Sequence, residues 1–150
     1  MSADRTYIAR NDAERARLRA LVARVSDADL ARPMPGGWTV AAVLAHLAFW
    51  DQRIMVLLER WEQSPSAVPP LINEADVDWV NDAAKPHFLA MPPRRAAELA
   101  VAIAEAVDAK VAALPDDLLA RNEAAGKPLH MTRAEHRREH LGEIEHVLGA

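Results

Sequence analysis

Two histidines four residues apart, His136 and His140, are the residues of this sequence best placed to do chemistry. On a helix, four residues are slightly more than one turn, so both imidazoles project from one face. A third histidine, His46, lies in the apolar helical stretch 43–50, where a buried ring without a partner is costly. Three imidazoles on two helices predict a shared metal ion, with an open position typical of a catalytic site.

Neutral imidazole binds zinc, nickel, copper and Fe(II), so the histidines alone do not select the metal. We expect zinc, with nickel as the alternative. The competing interpretation is that the three histidines are unrelated, because a spacing of four also arises by chance on solvated faces. His87, His130 and His146 are interpreted as surface residues. The sequence contains no cysteine, which excludes disulfides, thiolate metal ligands and a cysteine nucleophile.

The segment 136–140 also matches the H-x-x-E-H pattern of inverzincin metalloproteases. Those enzymes need a large fold and a third ligand far downstream, whereas this sequence ends at Ala150. We therefore expect the third ligand upstream. Glu139 is expected to be a solvated partner of arginines or a support for a ligand, rather than a general base.

Composition places the chain among ordinary soluble domains. Its 150 residues are 51% hydrophobic and 27% charged, which predicts a single domain over residues 1–150. The net charge of −4 argues against a nucleic-acid partner. The polar N-terminus and an apolar run that stops at Asp51 predict neither a signal peptide nor a membrane span, so the expected compartment is the cytoplasm.

Apolar periodicity predicts an all-α fold, a four-helix bundle with short extra helical segments. The predicted long helices cover about residues 4–24, 39–63, 92–115 and 132 onward, with an irregular helix over 73–90 and short turns at 26–30 and 116–120. Proline- and glycine-rich breaks fall at 32–37, 64–70 and 126–128.

Several local signals refine these helices. Thr39 is a predicted N-cap, and Thr132 with Glu135 fits a capping box. Trp79 is an expected anchor of the irregular helix, which Pro86 is expected to limit. The predicted apolar stripe of the second helix is Val43, His46, Trp50, Ile54, Leu57 and Trp61, and that of the helix over 92–115 is Leu99, Ile103, Val107 and Val111.

Two motifs resemble one known group. The stretch GWTVAAVLAHLAFWD, residues 37–51, is similar to the second-helix motif of the DinB-like (YfiT-like) metalloprotein superfamily. The stretch HRREHLGEI, residues 136–144, is similar to its last-helix motif, where a histidine is typically followed by Gly-Gln-Ile. The resemblance implies a DinB/YfiT-like bundle whose metal ligands are His46, His136 and His140.

The segment DVDWVN, residues 76–81, resembles the third motif of the maleylpyruvate-isomerase-like (DinB_2) branch. That resemblance implies a metal that activates a low-molecular-weight thiol, such as mycothiol or bacillithiol, for isomerisation or S-transfer on a small molecule. Two departures bear on the exact reaction: Glu143 stands where a glutamine is often found, and the further C-terminal domain of the true isomerases is expected to be absent.

Three functions stay open at this point: a thiol-dependent S-transferase or isomerase, a non-catalytic metal-binding module, and a metal-dependent hydrolase. Trp50, one turn beyond His46, is a candidate pocket wall, although core packing is the alternative role for a tryptophan there. Asn81 is a candidate substrate contact, with a helix-surface role as its alternative. Bundles of this kind also commonly dimerise, so a homodimer is expected.

Overall fold

The computed structural model describes residues 3–149. A short 3₁₀ helix, Pro35–Gly37, forms the turn of a hairpin, and the remaining regular structure consists of seven α-helices and the two strands of that hairpin. In chain order these are α1 (Tyr7–Arg24), α2 (Asp27–Leu30), β1 (Pro33–Met34), β2 (Trp38–Thr39), α3 (Val40–Gln63), α4 (Glu74–Ala90), α5 (Pro93–Ala112), α6 (Asp116–Ala124) and α7 (Ala134–Leu148). The predicted all-α class is confirmed. The predicted domain limits, residues 1 and 150, lie outside the described residues.

Helices α1, α3, α5 and α7 form the bundle, with α3 packed on α5 and α1 packed on both α5 and α7. Helix α4 lies against α3, and the short α2 closes the end against α5 and α3. The core divides into two apolar clusters, one around the first half of α3 and one around Ile54, Leu58 and Trp61 in its second half.

Helix α3 is the central element. The Thr39 hydroxyl accepts a hydrogen bond from the Ala42 amide at 3.1 Å, so the predicted cap is confirmed. By length and composition α3 could cross a membrane, yet 67% of its most apolar window is buried inside the bundle. That burial is what the core helix of a bundle shows. The inner position of its second half is Leu58 rather than the predicted Leu57.

A tight hairpin directly precedes α3 and positions its first residues. Pro33 pairs with Thr39 and Met34 with Trp38, and the turn between them has Gly36 at φ +77°, a backbone conformation that favours glycine. The Lys85 ammonium of α4 donates to the Gly36 carbonyl at 2.5 Å. The hairpin is thereby tied to α4, on the same side of α3 as His46.

Helix α4 departs from expectation. Trp79 is 61% exposed and is not an anchor; Phe88 is the buried residue of this helix. Pro86 lies inside the helix instead of limiting it. Proline has no amide hydrogen, so the carbonyl of Asp82 loses its helical hydrogen bond. Asp82 is exposed, and water can bind that carbonyl instead. Helix α4 packs mainly on α3, so a narrow apolar contact is sufficient for it.

Helix α5 packs through alanine rather than through the larger residues alone. Leu99, predicted to be in its apolar stripe, is 40% exposed. The buried face is instead Ala96, Ala97, Ala100, Ala104, Val107, Asp108 and Val111. Small side chains let the backbones of α3 and α5 approach closely, which moves the inner face away from Leu99.

The start of α7 also differs from prediction. The helix begins at Ala134, and the proposed capping box of Thr132 and Glu135 is not formed. Asn11 of α1 takes its place, because its side-chain oxygen accepts from the amides of Arg133 at 2.7 Å and Ala134 at 3.0 Å. A cap supplied from another helix cannot be found in the local sequence.

Candidate metal centre

The three predicted histidines converge at one place. His46 projects from α3, and His136 and His140 from successive turns of α7. The Nε2 atom of His136 lies 3.0 Å from Nε2 of His46 and 3.1 Å from Nε2 of His140. One ring nitrogen from each residue falls within 4.8 Å of the other two. The arrangement is a three-nitrogen cluster.

Burial lowers the pKa of two of these histidines, His46 and His136. Loss of solvent lowers the pKa of His46 from 6.5 to about 4, helped by the neighbouring His140. Burial lowers the pKa of His136 to about 2, with further contributions from the other two histidines and from Arg133 and Arg137. Neutral rings carry a free lone pair, which is the form that binds a metal.

The donor set fits a divalent ion. Tetrahedral bonds of about 2.0–2.1 Å would hold nitrogen ligands about 3.3 Å apart, close to the two Nε2 separations seen here. Neutral imidazoles cannot each satisfy both ring nitrogens through such contacts alone. The Nδ1 atom of His46 is buried and has no hydrogen-bond partner among the described residues, so Nε2 is the nitrogen of this ring that faces the cluster.

An open cleft of about 1850 Å³ gives small molecules access to the cluster, and all three histidines line it. Trp38 and Phe88 flank His46, with ring centroids 5.7 Å and 6.3 Å from the imidazole. The cluster is therefore apolar on its α3 side and accessible on the side of α7.

The two predicted substrate contacts lie together in the same cleft. The half-buried Trp50 donates from its indole nitrogen to the Asn81 side-chain oxygen at 2.8 Å. The Arg53 guanidinium lies over the Trp50 ring at 5.7 Å. Trp50 is therefore a cleft residue as well as a packing residue, and contact of either residue with a substrate stays a prediction.

Gly142 is a further cleft residue on α7. A Cβ added there would meet nothing within 4 Å, so no neighbouring group in the described residues requires glycine at this position. Glycine inside a helix is about 1 kcal/mol less favourable than alanine. The glycine leaves the cleft wall open two residues after His140.

A buried ion network, which sequence reasoning missed, supports the histidines. The Arg137 guanidinium, 1% exposed, makes two bonds to Asp108 at 2.7 Å and 2.8 Å and one to Asp51 at 3.1 Å. Asp51 also accepts from Arg133 at 2.8 Å, and Asp108 from Arg15 at 2.8 Å. These residues join α1, α3, α5 and α7.

The network fixes α7 against α3. Arg137 follows His136 directly in the chain, and Asp51 lies on the same helix as His46. A signal for it was present in the sequence, since Asp51 ends an apolar run and Asp108 follows Val107 in the apolar stripe of α5. Charged residues at inner positions indicate paired burial.

The other three histidines, His87, His130 and His146, are exposed, in agreement with their interpretation as surface residues. Glu139 is also exposed and makes no ion pair within residues 3–149. Glu143 is different, because its carboxylate lies 3.0 Å from Nδ1 of His140. Its spacing of three residues from His140 was the available signal.

The all-α bundle and its three-histidine cluster define a protein of the DinB-like class. Comparison with family models narrows this class: residues 12–144 match the mycothiol maleylpyruvate isomerase N-terminal domain, and the chain belongs to that family. The resemblance to the DinB-like superfamily that the sequence motifs indicated is confirmed. No curated protein and no solved structure matches the chain.

Proposed function

We propose that this protein is a metal-dependent enzyme that uses a low-molecular-weight thiol in S-transferase or isomerase chemistry. The carrying observation is the convergence of His46, His136 and His140 on one open cleft. Family membership supports a thiol of the mycothiol kind as co-substrate. The three histidines serve as the metal ligands in this proposal.

Zinc is the proposed metal and nickel the alternative. An all-nitrogen set of neutral imidazoles suits both ions, and three protein ligands leave a position free for a small molecule. A divalent ion held there lowers the pKa of a thiol that approaches it, so a thiolate nucleophile is available near neutral pH.

In S-transfer, the sulfur forms a bond to an electrophilic carbon of the substrate. The leaving group departs with its electron pair, and the thiol proton passes to solvent. The residues of the chain orient these partners: Trp50 and Asn81 form one wall of the cleft, held by their mutual hydrogen bond. The Trp38 and Phe88 rings keep water away from the α3 side of the histidines.

The ligand assignment is tested by metal analysis of purified protein. We expect one equivalent of metal in wild type and in His146→Ala, and none in His136→Ala. His146 is the matched control because it is an exposed histidine of the same helix and the same cleft. Equal metal content in all three proteins would contradict the assignment.

The reaction is tested with metal-loaded protein, a panel of thiols and a small electrophile. Thiol-dependent turnover above that of His46→Ala supports the proposal. A protein that binds metal but shows no turnover with any thiol is instead a binding module. Ester or amide cleavage without thiol would identify a hydrolase.

We further propose that residues 1–150 act as a single domain, as a homodimer in the cytoplasm, with neither membrane nor nucleic acid as partner.

An exposed apolar groove of about 550 Å³ between α3 and α5 supports self-association. Phe49, Val56 and Leu99 line it and are each exposed. Sedimentation velocity at several concentrations tests the homodimer, and a single monomeric species would contradict it.

A further inference from the structure

We propose that Glu143 is a positioning residue of the metal centre, forming a carboxylate–histidine pair that orients His140. The inference rests on the proposed ligation by His46, His136 and His140. It adds a fourth side chain that touches no metal and acts only through the ring of His140.

The geometry defines the pair. The Oε2 atom of Glu143 lies 3.0 Å from Nδ1 of His140, while Nε2 of the same ring faces His136 at 3.1 Å. A carboxylate only accepts hydrogen bonds, so Nδ1 carries the proton. The lone pair of the neutral ring is then on Nε2, the nitrogen that faces the cluster.

The carboxylate is free for this task. No lysine or arginine lies within ion-pair distance of Glu143 in the described part of the chain, and its one ion-pair contact is His140. Glu145, two residues on, is instead engaged by Arg17 at 2.9 Å. The negative charge of Glu143 is therefore directed at a single imidazole.

His46 lacks such support. Its Nδ1 is buried with no acceptor within residues 3–149. Among the three rings, His140 is the ring whose tautomer a charged group sets, and it lies at the accessible side of the cluster. A carboxylate behind a ligand histidine raises the basicity of the ring and fixes its orientation, and loss of such a partner typically weakens metal binding by 10–100-fold.

The experiment measures the affinity of the metal-free protein for Co²⁺, by competition with a chelator, together with the visible spectrum of the cobalt form. We expect Glu143→Ala to bind about 10–100-fold more weakly than wild type, with shifted absorption bands. Glu143→Gln is expected to fall between the two, because its amide oxygen still accepts from Nδ1 but carries no charge.

Glu139→Ala is the matched control. Glu139 is an exposed carboxylate on the same helix and in the same cleft, one residue before His140, and makes no ion pair among residues 3–149. We expect it to bind cobalt with wild-type affinity and spectrum. Melting curves of the metal-free variants report whether each one is folded.

The outcomes separate the two proposals. Wild type that binds no Co²⁺ overturns the proposed metal centre, and this inference with it. If wild type binds but Glu143→Ala matches it in affinity and spectrum, Glu143 has no positioning role, while the ligand assignment stands. Equal losses in Glu143→Ala and Glu139→Ala would show a general charge effect, which also overturns the inference.

Discussion

Burial keeps His46 and His136 neutral in the folded protein, and this effect makes stability depend on pH. In an unfolded chain a histidine titrates near pH 6.5. In the folded protein the pKa is about 4 for His46 and about 2 for His136. At a pH between the unfolded value and each folded value, the unfolded state binds a proton that the folded state does not. The free energy of unfolding therefore falls as the pH falls.

We therefore predict that the metal-free protein loses stability from about pH 6.5 downward, His46 alone accounting for about 3 kcal/mol by pH 4. Urea unfolding at several pH values measures the free energy of unfolding. His46→Gln should show a shallower decline over this range. Parallel declines in the two proteins would contradict the assigned cause.

At the residue scale, the sequence located the histidines but not the groups behind them. A histidine in an apolar stripe predicts a buried ring, and His46 is buried. No comparable signal marks Arg137, since an arginine beside a histidine usually faces water. Its burial depends on two aspartates from two other helices, and such three-way pairing is not a local property of the sequence.

At the scale of helices, the Arg137 network is a buried electrostatic link from α7 to α3 and α5. We predict that Asp108→Ala destabilises the protein by about 3–5 kcal/mol, because it leaves a buried guanidinium with one carboxylate fewer. Denaturant unfolding measures the change. Asp117→Ala is the control, since its exposed pair with Arg121 at 3.8 Å should contribute close to nothing.

A combined Asp108→Leu and Arg137→Met variant separates charge from packing. Removing both partners of a buried pair is often tolerated, so much of the lost stability should return. If the double variant is as unstable as Asp108→Ala, packing rather than an uncompensated charge is the cause.

Asn11 links α1 to the start of α7. Besides accepting two amide hydrogen bonds there, it donates to the Met131 carbonyl at 2.9 Å. We predict that Asn11→Ala destabilises the fold by about 2 kcal/mol or more, since buried groups lose their partners. Thermal unfolding measures the loss. The control is Asn73→Ala, which removes the exposed cap of α4, where the Asn73 side chain accepts from the Asp76 amide at 2.8 Å. We expect this variant to lose about half as much stability as Asn11→Ala. Equal losses in the two variants would contradict the special role of Asn11.

Helices with local start signals could be predicted closely, and those with distant ones could not. Thr39 caps α3 from within its own segment, and the predicted limits of that helix agree with the structure. The start of α7 was placed early because its cap comes from α1. The prediction that Trp79 anchors α4 is wrong, because hydrophobicity does not reveal how many neighbours a helix packs against.

At the scale of the molecule, a metal bound by ligands from α3 and α7 would join two helices that are far apart in sequence. A ligand that binds only the folded state raises stability by about 2.7 kcal/mol at 100 times its dissociation constant. We therefore predict a higher melting temperature with Zn²⁺ than with a chelator. The difference should vanish in His136→Ala and persist in His146→Ala; a difference in both variants would contradict binding at the cluster.

The class of fold followed from periodicity and the candidate histidine cluster from spacing, but the cleft did not follow from either. Its walls come from the start of α1, the hairpin before α3, and the helices α3, α4, α6 and α7. These elements come from distant segments of the chain. The shape of the cleft therefore depends on features that the individual motifs do not encode.

The open space beside Gly142 allows a reactive side chain to be introduced there. Because the chain has no cysteine, Gly142→Cys would carry a unique thiol on the cleft wall, with room for its Cβ. Disulfide tethering of small fragments at that position would report, by mass alone, which chemical shapes the cleft retains. A position that the fold leaves empty thus becomes an anchor for identifying what the protein holds.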